Sequence, residues 1–233
     1  MTGRIKFIGP VFLIGMLLLA GCVSNEKSAS TLQPDKVKAT PTDQRKAKIL
    51  KQLDCKFEDA DAHFELGQIY QADGMWTQAE YHYNNALSFN PAHRGAQAAM
   101  VKVLADSGDK KKSELTAEIY TNQVSGSAGE SLLLALAFQK QRLDDYALAC
   151  YRQALNLAPN SAKINRQIGY YYLSKNDKVL AQEYLTRSFQ LDHNQPDVAG
   201  ELGRMGVAVR IPQKTETKTK KLDKIVEQSD KKQ

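Results

Sequence analysis

The feature that most constrains this chain is a repeat with a period of 34 residues that runs without an insertion from 60 to 195. In the first unit, 60–93, Leu66, Gly67, Tyr70, Gly74, Trp76, Ala79, Tyr83, Ala86 and Pro91 fall at positions 7, 8, 11, 15, 17, 20, 24, 27 and 32. Counting on by the same period gives 94–127, 128–161 and 162–195. The third unit keeps Leu134, Ala135, Phe138, Ala147, Tyr151, Ala154 and Pro159, and the fourth keeps Ile168, Gly169, Tyr172, Ala181, Leu185 and Ser188. The second keeps Met100, Leu104, Gly108, Ala117 and Tyr120, has Ser113 where the pattern wants alanine and lacks the terminal proline. It reads as a degenerate unit, supported by the unbroken spacing on both sides.

The pattern has a physical reading. Large residues at positions 4, 7 and 11 share one face of a first helix A by the 3.6-residue period, and small residues at 8 and 20 let a second helix B approach. Gly67 and Ala79 are the expected close contact. Gly74 and Gly108 fall where helix A ends, the usual place for positive φ, and Pro91 and Pro159 stop helix B. No such unit covers its own apolar face, so stacking supplies the core and the ends need caps. A leading helix is expected over 43–59 and a trailing cap helix over 196–209, with Pro196 at its start.

The spacing strongly resembles that of the tetratricopeptide-repeat (TPR) family, which implies an all-α TPR superhelix, an α-solenoid of about four helix-turn-helix repeats with flanking capping helices. The resemblance also implies a concave groove lined by positions 2, 5, 9, 12 and 13 of the A helices. Carried over by register, these are Phe64, Gln68 and Gln71 in the first unit, Lys102 in the second, Leu132, Leu136 and Gln139 in the third, and Arg166, Tyr170 and Leu173 in the fourth. Amides, two cations and apolar side chains suit a partner's extended peptide or helix. The competing reading is that the leucines only complete packing between repeats. The carboxylate-clamp pattern of chaperone TPR domains is not recognisable at the matching positions.

Before the repeats, Arg4 and Lys6 precede an apolar run that closes on Leu19, Ala20, Gly21 and Cys22. A basic start, a short apolar stretch and small residues before a cleavage point describe a secretory signal peptide over 1–21 rather than a spanning helix. The four closing residues are similar to a bacterial lipobox, which implies lipidation of Cys22. By resemblance to the sorting rule of enterobacterial lipoproteins, Val23 and Ser24 in place of an aspartate imply the outer membrane, facing the periplasm. The polar stretch 22–42 reads as a flexible tether.

The net charge of +6 divides unevenly: +2 lies in 1–21 and +4 in the tail 210–233, while 22 basic residues meet 22 acidic ones between them. A body without net charge has no bulk attraction for nucleic acid, and the tail reads as a basic disordered end. His63, His82, His93 and His193 show no metal-ligand spacing, and no phosphate loop or catalytic elbow is present. No metal, cofactor, small-molecule substrate or catalytic residue is expected. Cys55 and Cys150 read as two buried, unbridged thiols.

Lipobox, tether and repeats together resemble pilus-assembly lipoproteins, the TadD type of the tight-adherence (Flp) system and the PilF/PilW-type pilotins. The resemblance implies a membrane-anchored scaffold that assists pilus or secretin assembly, with secretin or pilus components as partners. The alternatives are a TPR adaptor for peptidoglycan-processing enzymes, similar to NlpI-type lipoproteins, and an enzyme with an unrecognised site.

Overall fold

A computed structural model describes residues 40–209. The expected signal peptide, Cys22, the tether up to 39 and the basic tail lie outside the described residues. Among the described residues there are ten helices and no strand: α1 (Pro41–Cys55), α2 (Ala60–Ala72), α3 (Trp76–Phe89), α4 (Arg94–Asp106), α5 (Lys110–Gln123), α6 (Ala128–Lys140), α7 (Asp144–Leu157), α8 (Ala162–Ser174), α9 (Lys178–Leu191) and α10 (Pro196–Arg204). The fold is an all-α TPR superhelix, in which α2 to α9 form four hairpins stacked in chain order. None of the described helices is long and apolar enough to cross a membrane.

Local chemistry sets the boundaries. Each A helix starts on the first residue of its unit because the residue before it accepts a backbone N–H with its side chain: Asp59, His93, Ser127 and Ser161. The leading helix begins at Pro41, two residues inside the stretch taken as tether. Thr40 Oγ1 accepts the Asp43 N–H at 3.1 Å and the Asp43 carboxylate accepts the Thr40 N–H at 3.0 Å, a capping box with proline at the first turn. It ends at Cys55, since Asp59 serves α2 instead. The turn between helices A and B needs positive φ at position 15, supplied by Gly74 (72°) and Gly108 (95°), but by Arg142 (58°) and Asn176 (59°) in the last two units.

Packing inside a hairpin departs from expectation at two positions. A Cβ on Gly67 would lie 2.6 Å from the Tyr83 ring, so the close approach made possible by position 8 is to position 24, not to Ala79. Gly169 stands in the same relation to Leu185. The degenerate second unit reverses the sizes, with Val101 at position 8 and Ala117 at 24, both fully buried. Its Ser113 donates to the Val101 carbonyl at 2.8 Å, so the hydroxyl is satisfied where the other units carry alanine. Position 4, expected to be large, is a buried polar residue in every unit: His63, Gln97, the small Ser131 and Asn165. Each bonds a carbonyl oxygen of the preceding loop, of Phe57, Pro91, Val124 and Pro159 respectively, at 2.9 to 3.2 Å. These bonds staple one unit's entry to the end of the element before it.

Candidate functional site

The ten register-derived residues all lie on the A helices, α2, α4, α6 and α8, but most are engaged inside the molecule. Gln71 and Gln139, both at position 12, accept the buried hydroxyls of Tyr83 (2.6 Å) and Tyr151 (2.5 Å). They complete the hairpin core, and burial holds both phenols well above the usual tyrosine range. Phe64 packs within its own unit, with ring centroids 4.5 Å from His93 and 5.9 Å from Tyr83. Lys102 pairs with Asp106 one turn on, at 2.5 Å. Arg166 (3.8 Å) and the Tyr170 hydroxyl (3.0 Å) both reach Asp197 of α10. Burial, with the Asp197 carboxylate next, pushes the Tyr170 phenol up to about 12. Leu132 is buried in the central core, so for this residue the packing reading holds. Gln68, Leu136 and Leu173 are half-buried.

What the stack does present is an apolar hollow of about 310 Å³ on the side of the A helices, between the third and fourth units. It arises because α4 packs along α6 whereas α6 and α8 are not among the closely packed helix pairs. Leu132, Leu136 and Ile164 form its apolar lining with Leu133, which is 48% exposed. Glu130, Ser161 and Lys163 supply its polar groups. Glu130 is already held by Arg94, with nitrogens at 2.9 and 3.0 Å from the same oxygen. Lys163 is exposed, and among the described residues no carboxylate pairs with it. Register could have found Lys163, which occupies position 2 of its unit. Leu133, at position 6, belongs to no groove position and has no such signal.

A second cluster was invisible to spacing. His63 and His82, 19 residues apart on α2 and α3, bring their Nδ1 atoms to 3.0 Å. Burial first, then His63 and Lys46, pushes the His82 imidazole down to about 4, and burial also lowers His63. Among the described residues no three His, Cys, Asp or Glu side chains gather as metal ligands would. Of the two thiols, Cys150 is buried, and burial raises its pKa. Cys55 is exposed, contrary to expectation, because it closes α1 away from the Ile49 and Leu53 face. Neither is bridged.

Four capped hairpins in 34-residue register, with a recess between the A helices of the last two, define a stacked helical-repeat scaffold. The family profile "Tetratricopeptide repeat" matches residues 60–93, the first of the four units. The chain is similar to "Type IV pilus assembly protein PilF" of Pseudomonas aeruginosa, 26% identical over 150 residues, which is 62% of this chain and 58% of that protein. It is also 27% identical over 125 residues to "Protein O-mannosyl-transferase TMTC1" of Homo sapiens, covering 54% of this chain and 14% of that one. The chain thus spans less than two thirds of either relative. The solved structure titled "Functional Characterization of Pseudomonas Aeruginosa pilF" aligns with 25% identity and a TM-score of 0.35, over 60% of this chain and 64% of that one.

Proposed function

We propose that this chain is a lipid-anchored scaffold of the bacterial envelope that assists pilus or secretin assembly by binding protein partners, without catalysing a reaction. The observation that carries the reading is the similarity to a type IV pilus assembly protein along 150 residues. Cys22, at the end of its apolar run after two small residues, is the proposed lipidation point. Acyl chains stabilise attachment by about 0.8 kcal/mol per buried methylene, so a multiply acylated cysteine holds the repeats at the outer membrane, facing the periplasm. There they meet membrane-bound partners without diffusing from bulk. The match to a mannosyl-transferase supports no reaction for this chain, since it touches only 14% of that protein.

Deletion of the gene tests the reading. Loss of surface pili or of assembled secretin, restored by the wild-type chain but not by Cys22→Ser, is the expected result. Normal pili and secretin after deletion would overturn it, and capture of murein hydrolases in that case would install the adaptor reading instead.

A further inference from the structure

The ten register positions are not equally available to a partner. Phe64, Gln71, Lys102, Gln139, Arg166 and Tyr170 each have a partner within the molecule. A ligand competing for them must first break an internal contact. The hollow between α6 and α8 is different, because exposed Leu133 and half-buried Leu136 leave part of its apolar wall open and, among the described residues, Lys163 beside it has no counter-charge.

We infer that this hollow is the anchor site of the scaffold, taking one bulky apolar side chain of a partner protein whose neighbouring aspartate or glutamate pairs with Lys163. The inference rests on the scaffold reading and names the partner's chemistry. A hollow of about 310 Å³ lies at the small end of ligand pockets, at roughly 300 to 1,000 Å³, and fits an anchor residue rather than a large cofactor. The sign of the neighbour follows from charge. Arg94 neutralises Glu130, leaving Lys163 as the ion beside the hollow that has no partner among the described residues. The chain's own tail, with eight Lys or Arg against four acids in 210–233, is the wrong sign for that position. An acidic segment with an aromatic or aliphatic anchor is the right one. Rim charges of this kind select a partner and its register more than they add affinity, and the apolar anchor supplies most of the binding.

The test titrates the full chain with a short fluorescent peptide carrying one Phe between two Asp. Its two controls replace the Asp pair by Lys, or the Phe by Ala. The expected order is tightest for Phe with Asp, roughly tenfold weaker with Lys and roughly ten- to a hundredfold weaker with Ala. Lys163→Glu, at an exposed position that leaves the fold intact, inverts the preference between the Asp and Lys peptides. Leu136→Asp abolishes binding of both, with helix content by circular dichroism confirming that the variant is folded. An unchanged Asp-over-Lys preference in Lys163→Glu overturns the inference, as does equal binding of the Ala peptide. Self-association by light scattering that Lys163→Glu abolishes would assign the hollow to a second copy and also overturn it. The two readings fail separately: normal pili on deletion with the peptide order intact sinks only the pilus role, whereas lost pili with no peptide binding sinks only the hollow.

Discussion

His63 and His82 hold two ring nitrogens 3.0 Å apart, a spacing with room for one proton. The Phe57 carbonyl, 2.9 Å from His63 Nε2, can only accept, so that nitrogen carries a hydrogen. In the neutral ring His63 Nδ1 is then an acceptor and His82 Nδ1 the donor. Around them lie Phe89 and Tyr70, stacked on His63 and His82 respectively, with Lys46 of α1 over the Tyr70 ring and Asp59 as the nearby acid. Both histidines titrate lower in the folded chain than in the unfolded one. Below about pH 6.5 the unfolded state therefore binds more protons, and stability is full above that value and is lost as pH falls towards about 4. Urea unfolding across this window is expected to show stability rising with pH, with His82→Gln flattening the slope. An unchanged slope in the variant would place the titration elsewhere. Glycine in the hairpin is a second residue-scale constraint. A Cβ on Gly169 would meet Leu185 side-chain atoms at 2.7 Å and its backbone nitrogen at 3.1 Å, and backbone cannot rotate away. Gly169→Ala should cost about 1–2 kcal/mol despite alanine's helix preference. Leu185→Ala should therefore cost less in the Gly169→Ala background than in the wild-type chain, because there it also relieves the clash. A thermal-denaturation cycle showing simple additivity would sink this pairing.

At the scale of helices, what could be read in advance was whatever is local. Periodicity and the glycine turns at Gly74 and Gly108 are encoded within a few residues, so the four hairpins followed from the chain alone, whereas the caps at Asp59, Ser127 and Ser161 and the positive φ of Arg142 and Asn176 came only with the structure. Contacts between elements were not encoded that way. Register identifies the face on which Arg166 and Tyr170 lie, yet it carries no information that Asp197 of α10 stands opposite them. Position 12 glutamines look like groove residues until a tyrosine twelve residues later is seen to bond them. The position 4 staples escaped for the same reason, because a buried amide is explained only by the carbonyl it meets. They make a checkable claim about elements. Gln97→Ala removes the bonds to the Pro91 carbonyl and to the Arg94 guanidinium in the buried entry of α4. A loss of about 1–3 kcal/mol is expected, from one buried backbone acceptor left poorly satisfied. Hydrogen exchange should quicken first in the α3–α4 connection, and uniform quickening across all helices would argue against a local staple.

Across the whole molecule the core is beaded rather than continuous. One cluster joins α1 to α2, another joins α3 to α4, a large central one runs from α4 to α8, and a last one joins α9 to α10. The closely packed helix pairs all lie within one unit or between neighbours, so stability is close to a sum of unit and interface contributions. Phe138 sits fully buried in the central cluster, and Leu202 sits fully buried in the last one. Truncating either creates a cavity worth roughly 2–5 kcal/mol, but the consequences should differ in reach. Leu202→Ala should speed hydrogen exchange in α9 and α10 while α2 to α7 keep their protection, because only one interface is weakened. Phe138→Ala weakens the bead that ties the N-terminal units to the C-terminal ones, so unfolding should separate into two transitions with α2–α3 and α8–α9 no longer melting together. A single sharp transition in Phe138→Ala, with protection lost equally everywhere, would mean that coupling extends beyond neighbouring repeats. In that case the hollow between α6 and α8 would also be held open by the stack as a whole rather than by the two units that line it.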